Sequence, residues 1–278
     1  PNLYRDIFPY SELPRVVFDK TKVEYDIGEK IWITDTTFRD GQQSRPPYTP
    51  EQILRIYDFL HEIDGDSGLI RQCEFFLYSK RDRKAVELCK ERGYEYPEVT
   101  GWIRAVPDDF KLVSQMELNE TGILTSASDY HIFLKLRKTR AQAMEGYLHV
   151  ARAALDNGVI PRCHFEDITR ADYEDFVLPF AAELMKLSEE YNKPVKIRLC
   201  DTLGFALPWP QAALPRGIGK LIHGLRKIGV PGENLEWHGH NDLHKVQINA
   251  ATAWLYGCSA ANSAIFGVGE RTGNPPLE

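Results

Sequence analysis

No C-x-x-C pair occurs in this chain, and its five cysteines, Cys73, Cys89, Cys163, Cys200 and Cys258, are odd in number and widely scattered. That excludes a disulfide framework and fits reduced thiols in the cytoplasm. No early basic segment leads into an apolar core and no run approaches the length of a membrane span, so neither secretion nor membrane insertion is expected. Positive charge is also in deficit. With 34 Lys and Arg against 40 Asp and Glu the net charge is −6, whereas a nucleic-acid partner calls for a basic excess on one face. A dinucleotide-binding G-x-G-x-x-G is missing too, because the glycine cluster from Gly267 to Gly273 has the wrong spacing and comes last in the chain. What remains, 43% hydrophobic and 27% charged residues, is the composition of a globular protein with a sizeable core that works on small molecules.

Residues 1–29 carry Pro1, Pro9 and Pro14 without sustained periodicity, and read as a lead-in wrapping a body that occupies residues 30–278. Within that body strands and helices alternate strictly. Strands are expected at 31–37, 69–77, 98–105, 121–125, 159–166, 195–200, 235–238 and 260–266. Helices are expected from Pro50 behind a Thr49 N-cap, then at 79–92, 107–118, 139–157, 171–191, 210–228 and 243–256. Strict alternation implies parallel strands with helical crossovers, so the fold class is α/β, closing as a (β/α)8 TIM barrel. A doubly wound open sheet is the alternative. The eighth helix is missing by Glu278, and the protein is expected to continue beyond it.

In such a barrel the site lies where strands end. Those ends read Arg39-Asp40-Gly41 after strand one, His164-Phe165-Glu166-Asp167 after strand five, and Asp201-Thr202-Leu203-Gly204 after strand six. Strand seven ends in His238-Gly239-His240-Asn241-Asp242 and strand eight in Gly269-Glu270-Arg271-Thr272-Gly273-Asn274. Strand two carries an isolated Glu74. His238 and His240, two apart on a strand, share a face and offer two neutral imidazoles to a divalent cation. Each residue has an ordinary structural reading as well: Asp40 holding a turn, Glu166, Asp167 and Asp201 pairing with Arg39, Arg170 or Arg198, Asn274 turning before Pro275. Closure of the barrel places strands seven, eight and one side by side, gathering His238, His240, Asn274 and Asp40 on one arc suited to Mg, Mn or Zn.

These motifs resemble the barrel metalloenzymes that include 2-isopropylmalate, homocitrate and citramalate synthases and hydroxymethylglutaryl-CoA lyase. The resemblance spans residues 31–278. It rests on Asp35-Thr36-Thr37-Phe38-Arg39-Asp40-Gly41-Gln42-Gln43-Ser44, on the His238 to Asp242 segment and on the Gly267 to Asn274 loop, with Ser128-Asp129, Lys135-Leu136-Arg137 and Asp201 to Gly204 in family order between them. It implies that Asp40, His238 and His240 bind the metal with Asn274 at or near its coordination sphere. It also implies that Arg39 meets the developing anionic oxygen, that Thr202 takes the 2-oxo acid carboxylate and that Glu166 orients metal-bound groups. Glu74 joins these as a weaker substrate-binding candidate. The implied reaction is a Claisen condensation of acetyl-CoA with a 2-oxo acid. The implied assembly is a homodimer.

Gln42 departs from the Glu that many synthases carry. The Arg45-Pro46-Pro47-Tyr48 and Pro208-Trp209-Pro210 to Leu214-Pro215-Arg216 loops are similar instead to Re-type citrate synthases, which favours oxaloacetate as acceptor, with Arg45 either reading its second carboxylate or lying solvated. The basic run from Lys135 to Arg140 reads as a solvated helix start or as a phosphate site for coenzyme A. Two other functions stay open: a lyase, against which the cysteine-free Gly267 to Asn274 loop speaks, and a non-catalytic metal-binding barrel.

Overall fold

The structure, a computed structural model, describes residues 16–278. Pro1, Pro9 and Pro14 of the expected lead-in lie outside the described residues. Eight strands, β1 (Trp32–Asp35), β2 (Ile70–Phe76), β3 (Glu98–Arg104), β4 (Glu120–Ser126), β5 (Ile160–Glu166), β6 (Lys196–Asp201), β7 (Leu235–Gly239) and β8 (Ala260–Ser263), close in sequence order into a parallel barrel. Closure is made by β1 against β8, with Trp32 opposite Ala260 and Asp35 opposite Ser263. Seven helices run between them: α1 (Pro50–Asp64), α2 (Lys80–Lys90), α3 (Phe110–Gln115), α4 (Arg140–Asp156), α5 (Leu178–Tyr191), α6 (Ile218–Lys227) and α7 (Val246–Leu255). The expected TIM barrel is the observed fold.

Local chemistry explains three of the helix starts. Thr49, Ser79 and Thr139 each accept the N–H three residues on, while the side chain of Gln52, Asp82 or Gln142 reaches back, forming three capping boxes. Three expectations need correction. The sixth helix begins at Ile218, not Pro210, because the residues before it pair with the N-terminal segment: Ala213 donates to the Val17 carbonyl and Asp19 to that of Gln211. Strand eight stops at Ser263, and Phe266 stands at φ 53°, outside any strand. The fifth helix starts not at Ala171 but in a wide turn, Tyr173–Val177, capped by Asp172.

Polarity divides by strand parity. Outward residues such as Phe75, Ile103, Ile123, Phe165, Leu199 and Trp237 are at most 1% exposed and pack beneath the helices. The inward set is polar: Gln72 and Glu74 on β2, Thr100 on β3, Glu120 on β4, Arg162 and His164 on β5, Arg198 on β6, Glu236 and His238 on β7, Asn262 on β8, all buried. These charges neutralise one another. Arg162 binds Glu120 at 2.6 Å and Glu74 at 2.8 Å, Arg198 binds Glu74 at 2.8 Å and Glu236 at 3.0 Å, and Lys196 binds Glu120 at 2.5 Å. A desolvated charge is tolerable only when paired and hydrogen-bonded in this way.

Candidate metal and substrate site

Above this ionic floor, at the C-terminal ends of the strands, lies a cavity of about 260 Å³ lined by Arg39, Gln43, Phe76, Trp102, Leu124, His164, Glu166, Cys200, Thr202, His238, His240 and Glu270. The two histidines share a face as their spacing requires, His238 within β7 and His240 just past it, with rings at 88° and centroids 4.9 Å apart. Asp40 follows β1 at the start of a short 3-10 turn, Gly41–Ser44.

Three donor atoms converge. His238 Nε2 lies 3.2 Å from His240 Nε2 and 3.4 Å from Asp40 Oδ2, and His240 Nε2 lies 3.6 Å from the same oxygen. Among the described residues this is the cluster of carboxylate and imidazole groups that suits a metal ion. Two of the three, on Asp40 and His238, are set by their hydrogen-bond partners. Asp40 Oδ1 accepts from Gln43 Nε2 at 2.9 Å and from the Glu270 N–H at 3.1 Å, leaving Oδ2 buried without a hydrogen-bond partner. Burial opposes the charge of Asp40, but the Arg39 guanidinium beside it holds its carboxyl below the ordinary carboxylate range. His238 Nδ1 lies 2.7 Å from Asn262 Oδ1, an oxygen that can only accept, so the proton sits on Nδ1 and Nε2 presents its lone pair. Asn262 is held the right way round because its Nδ2 donates to the Thr34 carbonyl at 3.1 Å. Burial keeps both imidazoles below their ordinary basicity, His238 strongly so. An unpartnered carboxylate oxygen facing two neutral imidazole nitrogens is an arrangement that a cation completes. The spacing suits neighbouring ligands on an ion bound at about 2.1 Å.

Asn274 is anchored beside this cluster. Its Nδ2 donates to the Val268 carbonyl at 3.0 Å, while Oδ1 is buried and unpartnered. Its loop is tied to the segments that carry the cluster: the Glu270 N–H donates to Asp40 Oδ1, and the Asn241 N–H donates to the Gly273 carbonyl at 2.9 Å. Gly269 has no alternative here, since a Cβ would stand 1.9 Å from Asn274 Nδ2.

Arg39 is 7% exposed. Its Nε donates to Glu74 Oε2 at 2.7 Å, and its Nη1 lies 3.7 Å from Asp40 Oδ2. Glu74, among three guanidiniums, stays charged well below its ordinary range despite complete burial. It is not part of the cavity wall and acts by fixing Arg39. Glu166 does face the cavity, where burial raises its pKa and the His131, Lys135 and Ser126 contacts bring it down to about 2. Lys135 Nζ is 3.1 Å and His131 Nδ1 2.9 Å from its oxygens. Thr202 Oγ1 accepts from the Asp167 N–H at 2.8 Å.

Arg45 is placed elsewhere. Exposed, it lies over the Tyr48 ring at 3.9 Å and donates to its hydroxyl, and it does not line the cavity. The basic run is not a solvated helix start throughout, because Lys135 belongs to Glu166 while Arg140 pairs with Asp129 and Asp172 at 2.6 and 2.9 Å. Of the structural pairs expected, Asp167 with Arg170 is present at 2.7 Å. Sequence reading passed over Asn262 and His131, and placed His164 at the end of strand five without giving it a role. For Asn262 and His164 the available signal was a polar residue on a strand otherwise rich in apolar ones; His131, outside any strand, carried none.

A parallel barrel with an Asp-His-His donor set and an arginine at the mouth of its strands defines the class of barrel proteins built to hold a divalent cation beside a small oxygen-rich substrate. The chain belongs to the HMGL-like family, which it matches over residues 30–278. It is 60% identical to the citrate (Re)-synthase of Clostridium kluyveri and 59% identical to that of Syntrophus aciditrophicus, over 100% of this chain and 62% and 44% of theirs. It therefore spans about half to three fifths of the length of these relatives. In fold it is similar to hydroxymethylglutaryl-CoA lyase of Pseudomonas aeruginosa, with a TM-score of 0.70 at 18% identity, covering 90% of this chain and 83% of that one.

Proposed function

We propose that this barrel carries the acceptor site of an acyltransferase that condenses acetyl-CoA with a 2-oxo acid, with oxaloacetate as the acceptor. The observation behind it is the convergence of Asp40, His238 and His240 beside Arg39 in one cavity, in a chain 60% identical along its whole length to a citrate (Re)-synthase. A Mg, Mn or Zn ion held by Asp40, His238 and His240, with Asn274 Oδ1 as a fourth donor, would supply Lewis-acid polarisation of the acceptor carbonyl. The protein's own groups do the rest. Arg39, pinned through Nε by Glu74, keeps its remaining N–H groups for the oxygen that becomes an alkoxide, and costs no reorganisation when charge develops. Thr202 positions the acceptor carboxylate. Glu166, charged and clamped by His131 and Lys135, orients groups across the cavity. In the overall reaction the acetyl methyl carbon bonds to the acceptor carbonyl carbon, its proton leaves to a base, and water releases free coenzyme A from the thioester.

The test is thiol release from acetyl-CoA by the full-length protein with Mg or Mn. Oxaloacetate, 2-oxoisovalerate, 2-oxoglutarate and pyruvate are run side by side, with Asp40→Asn as the blank. A cation-dependent response to oxaloacetate is expected. Preference for another of the four would overturn the acceptor, and silence with all of them the condensing reading itself.

A further inference from the structure

Resting on the condensing-enzyme reading, we infer that His164 is a specificity-determining residue that reads the second carboxylate of a 2-oxo dicarboxylate. His164 stands on β5 two residues before Glu166, on the same inward face, and lines the cavity while only 2% exposed. Its Nε2 lies 3.4 Å from Glu74 Oε1 without the geometry of a hydrogen bond, and is buried with no hydrogen-bond partner. A buried polar atom left unpaired in a native site calls for an explanation. Room for the ring has been made deliberately: a Cβ on Gly122 of the neighbouring strand would stand 2.5 Å from Nε2.

The polarity of the cavity wall selects this ring over its neighbours. With the 2-oxo acid end placed by Arg39, Thr202 and the Asp-His-His cluster, the rest of the acceptor meets Phe76, Trp102 and Leu124, which offer little to a charge beyond the indole N–H. Glu166 is itself an anion and repels a carboxylate. Arg45, stacked on Tyr48, does not line the cavity. His164 remains; burial first, then the Arg198, Arg162 and Arg39 guanidiniums, keep the ring well below its ordinary basicity against the opposing pull of Glu74. A neutral ring at the cavity wall sets no charge against an incoming anion, and a ring N–H then donates to the carboxylate.

His164→Leu and His164→Ser in the full-length protein test this, the second being available where the first does not fold. KM and kcat for oxaloacetate are measured together with the inhibition constant of 2-oxobutanoate, which keeps the 2-oxo acid end and lacks the distal carboxylate. Loss of one hydrogen bond to a charged group predicts that KM for oxaloacetate rises about 10- to 100-fold, with kcat and the 2-oxobutanoate constant nearly unchanged. A structural role would move both constants together, and that result, or no change in either, overturns the inference. A wild-type protein silent with every 2-oxo acid removes the condensing reading and this inference with it.

Discussion

Asn262 is the residue through which the barrel floor speaks to the cation cluster. Glu236 Oε1 and the Thr34 carbonyl lie 3.4 and 3.1 Å from its Nδ2, so its oxygen is the atom left for His238 Nδ1. Asn262→Leu removes the acceptor that fixes the imidazole tautomer and is expected to weaken Mn or Zn binding about 10- to 100-fold, measured by titration calorimetry. Unchanged affinity would show that packing alone holds the ring. Asp35 makes a second case at this scale. Burial raises its carboxyl to about 7 although Thr37 donates to it through both N–H and hydroxyl. The folded state thus binds a proton that the unfolded chain, titrating at its ordinary 3.8, has lost. The associated stability is complete below that value and disappears as pH rises through about 7. Asp35→Asn should therefore gain melting temperature relative to wild type at pH 8 compared with pH 5. Glu166 has the opposite sign, its contribution vanishing as pH falls through about 2.

Elements were legible where their signals are local. Thr49-Pro50-Glu51-Gln52 announces α1, and the capping box is there. Thr49→Ala is expected to cost about 1 kcal/mol and to lower the melting temperature by about 2–4 °C in a thermal scan. A similar local signal misled at Pro210, which reads as a first helical residue. The contest there was decided by residues 17–19, almost two hundred positions away, whose backbone takes up the loop's hydrogen bonds. Likewise the basic run before α4 has no local sign that Lys135 turns inward to Glu166. Position in three dimensions, not propensity, settles such cases.

At the scale of the molecule, alternation of strand and helix sufficed to read the barrel, and its closure explains why Asp40, His238 and His240 meet from opposite ends of the chain. The ionic interior was harder to see, since polar residues at alternate strand positions look the same whether they face solvent or one another. Glu74 stood out in the sequence; its partner Arg162 did not, and Arg198 was read only as a partner for Glu166, Asp167 or Asp201. Because Arg162 satisfies Glu74 and Glu120 at once, Arg162→Leu should destabilise by about 3–5 kcal/mol in denaturant titrations, and a loss below 1 kcal/mol would mean that water replaces it. The same interlocking limits how such a barrel can diverge. A single exchange at Glu74, Glu120, Arg162, Arg198 or Glu236 strands a charge in the dark, so viable descendants must change these positions in matched sets. The floor beneath the site is then inherited as one unit, while the cavity wall above it is free to vary residue by residue and so to acquire new acceptors.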